Sequence, residues 1–365
     1  MNDTGTDFYT PPTLHDSIEP GRILRIRPTD TPALIGAGAA WQLLYTSTDT
    51  HGELTTASGI VIAPDTDPEL GPGPILLYCP AFHGLGGACA PSRLLAIGAE
   101  PDTAPITAAL ERGWMVAVPD GENLGVTGQG PHTFLAARAA AHHTLDLTRA
   151  AAAIPDLNAQ GSPVVAWGYA DGARAVTVAA QLHRSYAPEV DLRGIAAGAT
   201  ITVPGALAAS LNTSPFSALM LAGLIGLSRA YHHLPLRYVL SADGRQVIAE
   251  AETRSAPMLL AQYRRPIEHW CDRGQPWTDP MWHYVLARET IPVDQLPGVP
   301  VHLYHGARDA LVPIGQSTRL LSAYREGGVE VSWRNYDRGH LDTARDAITE
   351  TVARLADYLS RPSEG

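Results

Sequence analysis

Two hydrophobic patterns take turns along this chain. Short, continuously apolar runs at Ile75 to Cys79, Trp114 to Val118 and Val164 to Trp167 predict strands buried on both faces. Longer stretches near Ala104 to Arg112 and Phe134 to Ile154 carry helix-forming residues without strand alternation and predict helices between those strands. Such alternation implies a parallel central sheet. Upstream, two alternating runs around Ala40 to Ser47 and Thr55 to Ala63 meet at His51-Gly52 and predict an antiparallel hairpin. Asp191 to Ala199 reads as a further strand. From about Val203 to Thr290 the strand-helix rhythm stops, and aromatic-rich helical sequence replaces it, before strands resume at Val301 and Val329. The expected layout is an α/β chain in three parts: a first core segment at 1–202, a helical cap or lid insertion at 203–295, and a second core segment at 296–365.

The junction after Val164 to Trp167 carries the strongest chemical signal. Gly168-Tyr169-Ala170-Asp171-Gly172 follows a β-branched run and precedes a helix-forming one. That is the setting of the nucleophile elbow, G-x-S-x-G, in which a sharp strand-to-helix turn exposes the central side chain at the top of an α/β-hydrolase sheet. Here the central position is Ala170, which has no nucleophilic atom. In this fold the acid and the base follow the nucleophile in chain order. Val301 to Gly306 predicts a strand leading into a loop with Asp309, and Val329 to Arg334 predicts one leading to His340, just before the last helical stretch. Asp309 would fix the tautomer of His340, and His340 would accept a proton from a group at position 170. Any aspartate or histidine alone would be unremarkable. Three such positions in the required order, each on the required local structure, predict the α/β-hydrolase fold.

The remaining candidates surround this frame. The amide of Asp171 needs no particular side chain to act as one oxyanion donor, and the loop after the first parallel strand offers Phe82, His83 or Gly84 for a second. Trp167 and Tyr169 flank the elbow and pack beneath or beside it. Tyr169, with Tyr231 and Trp282 of the insertion, is a candidate contact for substrate. His142-His143 and His232-His233 are neighbours pointing about 100° apart on a helix, which does not suit a two-histidine metal site. Gly121, Gly125, Gly128 and Gly130 lack the spacing of a phosphate-binding loop. No metal and no cofactor is expected.

Composition narrows the partners. With 365 residues, 45% of them hydrophobic, the chain can bury a large core, and its net charge of -11 disfavours nucleic acid and anionic membranes. A small apolar ester, acyl or polyketide-like molecule is the expected partner, with no integral membrane contact. Three cysteines allow one bridge at most, and Cys79 sits in an apolar strand as a core thiol. The opening residues lack the charged-then-apolar pattern of a signal peptide, so the sequence as written reads as cytoplasmic, or as secreted if a leader has been removed.

Several segments together resemble one family. Tyr9 to Pro12, Trp41 to Asp49, Gly84 to Ser92, Tyr186 to Gly198 and His305 to Asp309 are similar to the secretory lipases of the Candida antarctica lipase A type, in their actinobacterial branch. The likeness runs over nearly the whole chain. It implies an α/β-hydrolase with a helical cap that hydrolyses esters or transfers acyl groups without metal or cofactor. By the same resemblance a serine belongs at Ala170, the acid at Asp309 and the base at His340. Cys89 matches a family cysteine that bridges to the cap, for which Cys271 is the candidate. Three departures stand out: Ala170 itself, the missing leader, and an unusual segment at Ala81 to Gly84. Two readings of Ala170 follow. Either it replaces a native serine, giving an inactive trapping variant, or it is native and His340 with Asp309 serves as general base for a cyclisation or lactone closure in secondary metabolism. A non-catalytic binding protein is a third.

Overall fold

In the computed structural model, which describes residues 7–15, 17–66, 73–234, 236–272 and 274–362, nine strands form one sheet. They are β1 (Ile23–Thr29), β2 (Ala37–Thr48), β3 (Leu54–Pro64), β4 (Ile75–Cys79), β5 (Met115–Pro119), β6 (Val164–Tyr169), β7 (Leu192–Gly198), β8 (Val301–Gly306) and β9 (Val331–Tyr336). The order across the sheet is β1-β2-β3-β5-β4-β6-β7-β8-β9. The first three strands are antiparallel, β3 pairs antiparallel with β5, and the strands from β5 to β9 are parallel. The expected hairpin is present as β2–β3, longer at both ends than its alternation suggested; β1, with its mixed Arg and Ile sequence, gave no such signal.

Burial explains which strands were legible. β4, β5, β6 and β8 are buried along their whole length; in β4, β5 and β6 unbroken apolar runs match this, whereas β8 buries His302 and His305 among its apolar residues. The edge strands β1 and β9 are only partly covered and carry arginines, which discourages pairing with another edge. Helices Ala137–Ala152 and Asp171–Tyr186 cover one face, where Leu145, Leu147, Val176 and Ala179 pack on Leu77, Ala117 and Ala166. On the other face Ile106, Ala109 and Leu355 pack on Leu76, Val116, Val165 and Trp167, from helices Thr103–Leu110 and Ile348–Leu359.

Between β7 and β8 the described chain is helical, from Pro204–Leu211 to Pro280–Arg288. Its apolar side chains form one cluster with Leu85, Phe134, Leu135, Tyr169 and Ala170. The insert therefore roofs the carboxyl ends of β4 and β6, where open parallel sheets place their ligands, and leaves Ala170 only 6% exposed.

Candidate active site

The turn at the end of β6 is built by close packing. Ala170 has φ +50° and ψ −108°, a conformation that side chains other than glycine adopt rarely and at a cost of about 1–3 kcal/mol. Its N–H donates to the Gly198 carbonyl at 2.9 Å, which holds the turn against β7. The two flanking glycines are needed for space. A Cβ on Gly168 would sit 2.2 Å from the Gly172 carbonyl oxygen, and one on Gly172 would sit 1.9 Å from that of Cys79. Neither glycine has a positive φ; the strained residue is the one between them.

Asp309 and His340 meet as expected. Asp309 lies just beyond β8 with a fully buried side chain, and His340 Nδ1 donates to its Oδ2 at 2.6 Å. The backbone amides of Leu311 and Val312 donate to Oδ1 at 2.9 and 2.8 Å. Burial pushes the Asp309 carboxyl upward in pKa, but the His340 bond and the two amides outweigh it and hold it below its ordinary value. With Nδ1 engaged, Nε2 is the nitrogen left to accept a proton. The Tyr169 hydroxyl donates to the His340 carbonyl at 2.6 Å, so the residue before Ala170 ties the elbow to the histidine loop. His305, quoted within the sequence motif but assigned no role there, places Nε2 2.9 Å from the Val312 carbonyl and 3.5 Å from Asp309 Oδ2. It braces the acid loop from below.

Across the elbow, the amides of Asp171, Phe82, His83 and Gly84 donate to no protein acceptor among the described residues. Asp171 opens helix Asp171–Tyr186, so its free N–H lies at the positive end of a helix dipole. Its carboxylate lines a small cavity with Phe82, His83, His132 and Asp120. Burial pushes the Asp171 carboxyl up to about 6, with Arg174 Nε, 3.7 Å away, pulling the other way. Phe82 stacks on Phe134 with ring centroids 4.0 Å apart. The His83 side chain does not face the elbow. It is buried against Glu100, with Nε2 2.6 Å from Oε1, which leaves only its backbone for an oxyanion role.

The substrate-contact candidates divide. Trp282 is fully buried and lines an apolar cavity with Phe134, Leu135, Leu207, Met220 and Trp277. Tyr231 does not line it; its hydroxyl donates to Glu289 Oε1 at 2.6 Å. Glu289 Oε2 accepts from the Ala137 amide at 2.8 Å and lies 3.6 Å from buried Arg174, which also donates to the carbonyls of Ile201, Leu135 and Glu289. That network anchors the insert to the elbow helix. Tyr169 bonds to the His340 carbonyl instead. Neither tyrosine is free to contact substrate through its hydroxyl, and the anchoring network had no sequence motif.

Cys89 and Cys271 are free, buried thiols, which corrects the expected bridge. Cys89 packs with Ala90 and Leu124, while Cys271 belongs to the larger apolar cluster of the insert, so the two thiols lie in separate clusters. Cys79 is buried in β4 as expected, 3.3 Å from the Thr144 hydroxyl. His142 stacks on Tyr186 and His143 is enclosed in the core; burial pushes them down to about 4 and about 3, as befits neutral packing residues.

A model of the secretory lipase family matches residues 89–360, which is most of the chain. The chain belongs to the secretory lipase family. Among its relatives are lipase A of Arthroderma benhamiae, 28% identical over 96% of this chain and 78% of that protein, and a trichothecene C-3 esterase of Fusarium sporotrichioides, 27% identical over 97% and 83%. A probable inactive lipase of Mycobacterium tuberculosis is 27% identical over 89% and 75%. Among solved structures, Candida antarctica lipase A in its closed state superposes with a TM-score of 0.86 at 23% identity, covering 97% of this chain and 86% of that one. An esterase of Xanthomonas oryzae gives 0.77 at 17% identity, over 93% and 99%. These neighbours share the α/β-hydrolase fold. As a secretory lipase the chain is of lipase and esterase type, and one relative is a secreted triacylglycerol lipase of Malassezia globosa. No helix among the described residues is long and apolar enough to cross a membrane.

Proposed function

We propose that the protein binds apolar carboxylic esters in a serine-hydrolase site whose covalent step is disabled at position 170, while its base remains competent. The observation that carries this reading is the 2.6 Å bond between His340 Nδ1 and Asp309 on one side of an elbow that has no oxygen on the other. In a working triad the nucleophile gives its proton to the imidazole, attacks the ester carbonyl, and the oxyanion is held by backbone amides. Here the base, its orienting acid and the uncommitted amides remain, but the attacking atom is absent. The apolar cavity under Trp282 supports an acyl group as the recognised part of the substrate.

The test is Ala170→Ser. The variant is expected to hydrolyse p-nitrophenyl esters of short or medium acyl chains at least 10³-fold faster than the chain as written, since loss of the nucleophile alone costs on the order of 10⁶ in turnover. A revertant that stays at background across a broad ester panel overturns the reading. Three features support a second reading, in which alanine is native and His340 draws a proton from the substrate itself to drive a ring closure. They are the fully buried, multiply bonded Asp309, the maintenance of a costly φ at an alanine, and a relative that is itself named inactive. In that case His340→Ala abolishes a non-hydrolytic conversion by the unmodified chain, and Ala170→Ser gains nothing.

A further inference from the structure

Outside the elbow and its base, one largely buried cluster, with Glu100 at its centre, carries more negative charge than its neighbours balance. His83 Nε2 lies 2.6 Å from Glu100 Oε1, and the amide of Asp102 donates to that same oxygen at 3.0 Å. The Glu100 side chain is only 1% exposed, and its second oxygen is buried without a partner. Asp102 occupies the N-cap position of helix Thr103–Leu110, yet its carboxylate makes no capping bond. It lies instead with the other two groups: one ligand atom from each of His83, Glu100 and Asp102 falls within 4.8 Å of the other two. Among the described residues neither carboxylate pairs with an arginine, and only Glu100 pairs with His83. Even with His83 protonated the cluster holds a net charge of -1, which is costly to bury.

One imidazole nitrogen and two carboxylates form a donor set suited to a divalent transition metal. Calcium and magnesium prefer oxygen alone. We propose that His83 Nε2, Glu100 and Asp102 form a structural site for one divalent metal ion of the zinc class. Zinc bonds of about 2.0–2.1 Å in tetrahedral geometry place ligand atoms roughly 3.3 Å apart, so the His83–Glu100 contact opens slightly as the ion enters. Any proton shared in that contact is released to solvent, and affinity rises with pH. The site acts on the loop after β4. The His83 carbonyl accepts from the Ala256 amide at 2.8 Å, and the Leu85 amide donates to the Arg254 carbonyl at 2.9 Å, so the same loop is stitched to the helical insert. A metal there clamps the segment that carries the Phe82, His83 and Gly84 amides, and takes no part in bond making.

Chelator-treated full chain, titrated with Zn²⁺ by calorimetry at pH 7.5 and followed by thermal unfolding, tests this without reference to esterase activity. One equivalent is expected to bind with micromolar or tighter affinity and to raise Tm, whereas Ca²⁺ and Mg²⁺ at the same concentration do neither. Co²⁺ is expected to give visible absorption that Zn²⁺ displaces. Glu100→Gln and Asp102→Asn should each weaken Zn²⁺ binding at least 10-fold. Asp102, the least buried ligand, keeps the test informative if Glu100→Gln fails to fold. Absence of stoichiometric uptake, or uptake unchanged in a folded Asp102→Asn protein, overturns the site.

Discussion

Asp309 and His340 are held by side-chain bonds: an imidazole on one carboxylate oxygen and two backbone amides on the other. Ala170, at the elbow, is held mainly through backbone, by a bond to Gly198 and two glycines pressed against neighbouring carbonyls. The acid–base half depends on which residues are present, whereas the elbow half depends on shape. A side chain can therefore be removed from the elbow without collapsing it. Removing one from the acid–base half would strand a buried charge. An alanine at position 170 and an intact Asp309–His340 pair can coexist because different forces hold them.

The widest separation between the halves should appear in activity. In an Ala170→Ser background, adding His340→Ala is expected to lower ester hydrolysis about 10³–10⁴-fold with little change in circular dichroism. A loss below tenfold would show that His340 is not the base. The elbow should fail in the opposite way. Gly172→Ala drives a Cβ into the Cys79 and Pro80 carbonyls, so about 3 kcal/mol or more of stability should be lost in denaturant unfolding, whatever stands at position 170. If Gly172→Ala folds normally, the close-packing account of the elbow is wrong.

Asp171 sharpens the contrast through pH. Its folded pKa, near 6, lies above the unfolded value, so it favours folding only while protonated, and that contribution is lost as pH rises through about 6. Asp171→Asn should therefore stabilise the protein at pH 8, by roughly 1–3 kcal/mol, and have little effect below about pH 3.5, where the carboxyl is protonated in both folded and unfolded states. Equal effects at both pH values would mean that burial does not govern this carboxylate. The smallest expected change is from Ala170→Gly. Relief of the positive φ, partly offset by the greater unfolded-state entropy of glycine, should raise Tm slightly; a fall would show that the Ala170 methyl packs more usefully than its backbone strain costs.

The reach of sequence reading differs between these regions for the same physical reason. Strands β4, β5 and β6 were legible because burial on both faces forces uninterrupted apolar runs, and the elbow because close backbone approach forces glycine at two fixed positions. The order of Ala170, Asp309 and His340 was equally plain, since each follows a strand that the hydrophobic pattern marks. By itself, then, the sequence determined the sheet core, the turn and the meeting of Asp309 with His340. Tertiary structure decided what depends on partners distant along the chain. It directed His83 to Glu100 rather than toward the elbow, committed Tyr231 to Glu289 and Tyr169 to the His340 carbonyl, and enclosed Cys89 and Cys271 in separate clusters. Local propensity and periodicity are set within a few residues, whereas the direction of a buried polar side chain is set by whichever partner spares it an unmade hydrogen bond.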